Sequence, residues 1–232
     1  IFLATFLYAV GFVGNLVVPK SIDSGPETTV GRALLVNVPL LGLFAIQHSL
    51  MARPAFKRWW IRVIPQAAER STYVLVSSVV LALLFWQWRP MPAVIWEVTH
   101  PAGAVILQAI FWVGWATVLL STFMTDHFDL FGLRQVYLHA TGRPYTPLAF
   151  KTTAFYRYVR HPIMTGFLIA FWATPTMTVG HLVFAVTTTL YILVALQLEE
   201  RDLVSFHAEA YEAYRRQVSM LFPLPKRWSS RN

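Results

Sequence analysis

Two short polar motifs flank an apolar hairpin in this chain. Arg160-His161-Pro162 opens one apolar segment, and Glu199-Glu200-Arg201 closes the next, with a break near Pro175 to Gly180. If both segments cross a bilayer, the two motifs return to the same face and meet. Cations and carboxylates at span ends either anchor the helix at the interface or surround a polar ligand. Pro162 suits the first residue of a helix, where its missing N–H costs nothing. The N–H groups that follow it, the helix dipole and Arg160 favour an anion such as the carboxylate of a cofactor. Glu199 or Glu200 can accept hydrogen bonds from ribose hydroxyls or an amino group. Gly166, one turn in, permits close approach of a ligand or a neighbouring helix.

Other polar residues fall at the same level. Gln47-His48-Ser49 ends one apolar segment, and Asp126-His127-x-Asp129 follows another. His48, His127 and Asp129 are the base candidates on different elements, and histidine has the intrinsic pKa for general-base work. The alternative for His48 is a hydrogen bond between helices. Three ligands in one loop form a weak metal pattern, so no metal site is expected. Arg134, Arg143 and Tyr145 suit a lid or contact with headgroups. His100 and His181 lie at the opposite ends of their segments and receive no role.

The elements that must position these residues are membrane helices. The chain is 56% hydrophobic and only 13% charged, a combination that membrane residence explains. Apolar runs predict six spans near 1–18, 33–52, 71–89, 102–124, 162–176 and 180–198, the fifth too short to cross without tilt or local thinning. Residues 1–18 lack a basic start and a cleavage pattern, so they read as a span and not a signal peptide. The net charge of +8 is carried by basic residues between spans, which makes it a topology signal and not a nucleic-acid footprint. Loop 53–70, loop 125–161 and the tail hold most of the Lys and Arg; the alternate loops hold only Lys20, Arg32 and Arg89. Six spans put every basic segment on the cytoplasmic side, with both termini there too. Absence of cysteine excludes disulfides, zinc-thiolate sites and a catalytic thiol.

The expected architecture is therefore all-α: a polytopic integral membrane helical bundle in a single domain, 1–232. It divides into a four-span part (1–124), a cytoplasmic loop (125–161), a helical hairpin (162–200) and a cytoplasmic amphipathic tail (201–232). In the tail, Leu203, Phe206, Ala210, Tyr214 and Val218 recur at helical spacing, and Phe222-Pro223-Leu224-Pro225 ends the pattern.

Tyr156-Arg157-Tyr158-Val159-Arg160-His161-Pro162, Gly166, Glu199-Glu200, Leu203, Tyr211 and Tyr214 resemble the carboxy-terminal signature of the isoprenylcysteine carboxyl methyltransferase superfamily. Two departures stand out: Met164 where the pattern prefers Tyr, and His207-Ala208 where it has Phe-Gly. The resemblance implies S-adenosylmethionine as cofactor, held at the cytoplasmic end by Tyr158, Arg160, His161, Pro162, Gly166, Glu199 and Glu200. The upstream segments Gln47 to Pro54, Glu69-Arg70-Ser71, His127 to Gln135 and Pro175 to His181 resemble the bacterial methanethiol S-methyltransferases over most of the chain. That likeness implies methylation of a small thiol, methanethiol to dimethyl sulfide, in the bacterial inner membrane. The base for that reaction is expected among His127, His48 and Asp129 by their placement, with membrane lipids as surroundings and no obligate protein partner. Methylation of a lipid or prenylcysteine carboxylate is the alternative enzyme reading. A non-enzymatic haem-binding or transport protein, with His48 and His127 as axial ligands, is the reading from another class.

Overall fold

The apolar runs become helices whose outward faces are their more hydrophobic ones. The computed structural model describes residues 1–146, 148 and 153–223. Its helices are α1 (Phe2–Val13), α2 (Val30–Ala52), α3 (Pro54–Trp60), α4 (Glu69–Gln87), α5 (Pro101–Met124), α6 (His127–Leu130), α7 (Leu133–Ala140), α8 (Pro162–Trp172) and α9 (Val179–Gln217). Leu35, Ile46, Val105, Ile106, Val113, Phe123 and Val194 are exposed, whereas Asn37, Ser77, Ser78, Ser121 and Thr122 are buried. This distribution is inverted relative to a water-soluble domain and identifies a helical membrane protein. Four helical stretches are long and apolar enough to cross a membrane: Val30–Ala52, Gln66–Gln87, Pro101–Met124 and Val179–Phe206.

The other two expected spans are shorter than the sequence pattern. Helix α1 has 12 residues and α8 has 11. At ~1.5 Å per residue, each rises roughly 17 Å, well under the ~30 Å of a hydrocarbon core. Turns and bends follow α1, and extended chain follows α8. After α1, the Ile22 N–H returns to the Phe12 carbonyl. After α8, Thr176–Thr178 forms strand β2, antiparallel to β1 (Val94–Glu97). This two-stranded ribbon, three and four residues long, is the one departure from an all-helical reading among the described residues.

The membrane helices pack in the circular order α1–α4–α2–α9–α8–α5, closed by Phe6 of α1 against Trp115 of α5. The tightest pair is α5 with α8. A Cβ on Gly166 would lie 2.7 Å from the Gly114 carbonyl oxygen, and one on Gly114 would lie 2.6 Å from the Ala170 nitrogen. Small residues thus let the two backbones touch.

The two ends of the ring differ. At the far end, loops 14–29, 88–100 and 173–178 are knitted together. Trp88 Nε1 donates to the Ile22 carbonyl, Asn37 exchanges two hydrogen bonds with Arg89 backbone, and the Thr178 hydroxyl donates to Asp23. The main apolar core sits beneath them, with Phe12, Leu41, Leu84, Trp88, Trp115, Phe171 and Phe184 from all six helices. At the near end, Arg53 pairs with Asp202 at 3.0 Å, and Arg70 Nε donates to the Leu130 carbonyl at 2.7 Å. That end holds the polar residues singled out above.

The tail departs from the expected continuous amphipathic helix. Helix α9 runs on past the bilayer and breaks at Ala208, whose φ of 40° and ψ of −121° are non-helical. The break rotates the apolar face. Phe206 and Ala210 are exposed, while Tyr211 and Val218 are buried. Leu224, Pro225 and the basic residues Lys151, Lys226, Arg227 and Arg231 lie outside the described residues.

Candidate active site

Pro162 occupies the first position of α8, as its fixed φ favours. The tail is laced across this helix start. The Arg160 N–H donates to the Ser219 carbonyl at 2.8 Å, the His161 N–H to Met220 at 3.1 Å, and the Thr165 hydroxyl to Leu221 at 2.6 Å. The buried Arg160 guanidinium contacts Glu200 Oε1 through Nε at 2.7 Å and Nη2 at 2.6 Å, and donates from Nη1 to the Val218 carbonyl. His161 Nε2 lies 3.2 Å from the same carboxylate oxygen, and the Tyr211 hydroxyl donates to it at 3.4 Å. Arg160, His161 and Glu200 thus form a closed ionic cluster that fastens the tail to α8. Buried charges survive in this way, paired and hydrogen-bonded on every side. Gly166 is taken up by the α5 contact, and Tyr158 is 67% exposed on the surface.

Glu199 is placed differently. Its side chain is 49% exposed, and His161 Nδ1 lies 3.8 Å away. Four phenols from separate parts of the chain stand within electrostatic reach of it: Tyr73 of α4, Tyr191 of α9, Tyr211 of the tail and Tyr156 before α8. Burial pushes Tyr156 and Tyr211 up to about 12, so both stay protonated and can donate. A half-exposed carboxylate attracts a cation from solution.

The base candidates have three distinct surroundings. His48 is engaged at both nitrogens: the Tyr73 hydroxyl lies 2.7 Å from Nε2, and the Ser77 hydroxyl 3.2 Å from Nδ1. It joins α2 to α4. Asp129 pairs with Arg134 at 2.9 Å and accepts from the Tyr145 hydroxyl at 3.3 Å. It lines a polar cavity of about 640 Å³, together with Lys57, Arg70, Thr125 and Arg143. Burial pulls Lys57 there below the ordinary lysine range, against the opposing effect of Glu69.

His127 is held rigidly but keeps one nitrogen available. Its ring stacks on Phe123 at 4.4 Å and meets Phe131 edge-on at 4.7 Å. The Thr122 hydroxyl donates to the Leu119 carbonyl at 2.7 Å, so its oxygen accepts from His127 Nδ1–H at 2.8 Å. That assigns the lone pair of the neutral ring to Nε2. His127 starts α6, capped by Asp126 in a left-handed conformation (φ 77°). Gly132, at φ 80°, lets the following turn press against Ser71; a Cβ there would sit 2.5 Å from the Ser71 nitrogen. Glu69-Arg70-Ser71 therefore docks the α6–α7 turn, and that turn sets the His127 ring. Thr125, two residues earlier, donates from its hydroxyl to the Ser121 and Thr122 carbonyls and so fixes the end of α5 before His127.

This arrangement has counterparts. The NnrU protein family matches residues 37–219, which include Glu199, Glu200, Arg160, His161, His48, His127 and Asp129. The chain belongs to the NnrU family. A relative named methanethiol S-methyltransferase from Mycobacterium tuberculosis is 61% identical over 98% of this chain and 93% of its own length. One of the same name from Crocosphaera subtropica is 59% identical over 96% of this chain and 87% of its own. Nurim from Bos taurus is 34% identical over 76% and 70%. No solved structure matches the chain.

For this NnrU-family chain, sequence reasoning brought Arg160, His161, Glu199 and Glu200 together at one end, and they do meet. It passed over Tyr73 and Tyr191, quoted Tyr156 only within a resemblance, and passed over Thr122 behind His127. Tyrosine and threonine carry no charge signal, and only the rotation of each helix decides whether they face inward. The spacing of Thr122 and His127, five residues across a helix end, was the one local clue.

Proposed function

We propose that this chain is a thiol S-methyltransferase that converts methanethiol to dimethyl sulfide with S-adenosylmethionine as methyl donor. The observation that carries the reading is the 61% identity, sustained over 98% of the chain, to a protein bearing that name. The geometry at Glu199 fits the cofactor. S-adenosylmethionine carries an ammonium and a sulfonium, and the half-exposed Glu199 carboxylate suits cations. Glu199 and His161 would hold it, with Arg160 and Glu200 fixing the tail beside it and Pro162 and Gly166 setting the helix start. When bound, it supplies an electrophilic methyl group.

The chain's own residues supply orientation, dryness and a proton acceptor. A thiolate is a far better nucleophile than a thiol, so the acceptor's proton must leave near neutral pH. His127 Nε2 takes it, with Thr122 keeping Nδ1–H in place. His48 acts through Tyr73 and Ser77 as a brace between α2 and α4, and Asp129 positions Arg134 and Tyr145. The His127→Ala variant lowers turnover roughly 10²–10⁴-fold while sparing cofactor affinity, and the defect shrinks as pH rises because more thiol is already ionised. Wild-type turnover in that variant at neutral pH would remove the histidine from the mechanism.

The topology belongs to the same proposal. We read α1 and α8, with the non-helical segments that follow them, as completing six passes with both termini cytoplasmic, in a bacterial inner membrane. Clustering of alternate loops at opposite ends supports it, as do the basic segments at the near end. Single cysteines at positions 27 and 143 of this cysteine-free chain label from opposite sides of the membrane; labelling from one side would exclude six passes.

A further inference from the structure

The His127 ring does not face the polar cavity. It lines a second, apolar groove of about 470 Å³ between α1, α4 and α5, walled by Phe6, Val74, Leu75, Leu119 and Phe131. The polar side chains in this wall are Ser71, Thr122 and His127. Two of them are already engaged, since Ser71 donates to the Ala68 carbonyl and Thr122 to that of Leu119. Among the described residues nothing pairs with His127 Nε2, which leaves one proton acceptor in an apolar space. Leu75 and Leu119 are 44% and 41% exposed on the membrane-facing side, so the groove opens laterally toward lipid.

We infer that this groove is the acceptor site, that its substrates enter from the bilayer, and that they are primary alkanethiols of several chain lengths. The inference rests on the proposed thiol methylation. An apolar groove with one imidazole base selects a small apolar acid, and an alkanethiol is both. Its S–H meets Nε2 while its alkyl chain lies along Leu75 and Leu119. The groove is far larger than methanethiol needs and lacks a wall on the lipid side. Chain length is therefore not excluded, and burial of each added methylene favours binding by roughly fourfold.

The test uses the full-length protein with methanethiol, ethanethiol, butanethiol and hexanethiol. All four are methylated, with KM falling along the series. Leu119→Trp and Leu75→Trp, substitutions on lipid-exposed positions that the fold tolerates, raise KM for butanethiol at least tenfold and leave cofactor affinity in calorimetry unchanged. A readout independent of turnover uses Leu119→Cys: dibutyl sulfide, which lacks a reactive thiol, slows its labelling by N-ethylmaleimide. Methylation of methanethiol with no activity on the longer thiols overturns the inference and leaves the proposed function standing, as does an unchanged KM in both Trp variants. Failure to methylate any thiol overturns the proposed function itself.

Discussion

Glu199 and Glu200 are neighbours in the chain with opposite surroundings. Glu200 is buried and shares one oxygen with Arg160, His161 and Tyr211. Glu199 is half exposed and lies 3.8 Å from His161 Nδ1. A helical step of about 100° separates adjacent side chains, so one carboxylate can belong to the packing and the other to a ligand. Glu200→Gln removes the charge that compensates the buried Arg160, which costs roughly 3–5 kcal/mol and shows as a lowered Tm in detergent. Glu199→Gln keeps the melting temperature within a degree or two and weakens S-adenosylmethionine binding about tenfold or more, the scale of a lost charged hydrogen bond. Equal effects of the two variants on Tm and on affinity would show that the carboxylates share one role. The paired glutamates were legible in the sequence as chemistry, but this division of labour was not. It depends on which side of α9 the tail folds against.

Helix positions followed from hydrophobic runs to within a few residues for α2, α4 and α5. Those runs are long, apolar and bounded by prolines or charges. The tail was harder, because its period looked continuous from Leu203 to Val218. The break at Ala208 has no polar or proline marker. Its φ of 40° is a conformation that glycine adopts freely and alanine does not. The signature that this segment resembles has glycine at this position, a residue that adopts such a φ without strain. The break turns the chain so that Tyr211, Tyr214 and Val218 reach the start of α8. Ala208→Gly relieves the strain and raises stability by about 1 kcal/mol, seen as a higher Tm with cofactor affinity retained. A lower Tm would mean that the tail does not turn at this residue.

The whole molecule is polarised along the membrane normal. Its far end is closed by hydrogen-bonded loops over an aromatic core. Its near end carries the ionic cluster, a polar cavity and, beside them, an apolar groove open to lipid. This asymmetry suits a reaction between one charged, water-borne partner and one apolar, membrane-borne partner. Each reaches the same end of the bundle from its own phase. The basic loops announced that end in the sequence. The two cavities could not be read there, because they arise where helices from distant segments diverge.

The central claim is a methyl transfer to a thiol, and it is open to one direct measurement. Purified protein is incubated with S-adenosylmethionine labelled in its methyl group and with methanethiol, and the headspace is analysed by gas chromatography and mass spectrometry. The account predicts dimethyl sulfide carrying one labelled methyl, formed in step with S-adenosylhomocysteine. Folded protein that binds the cofactor and forms no labelled dimethyl sulfide would contradict it.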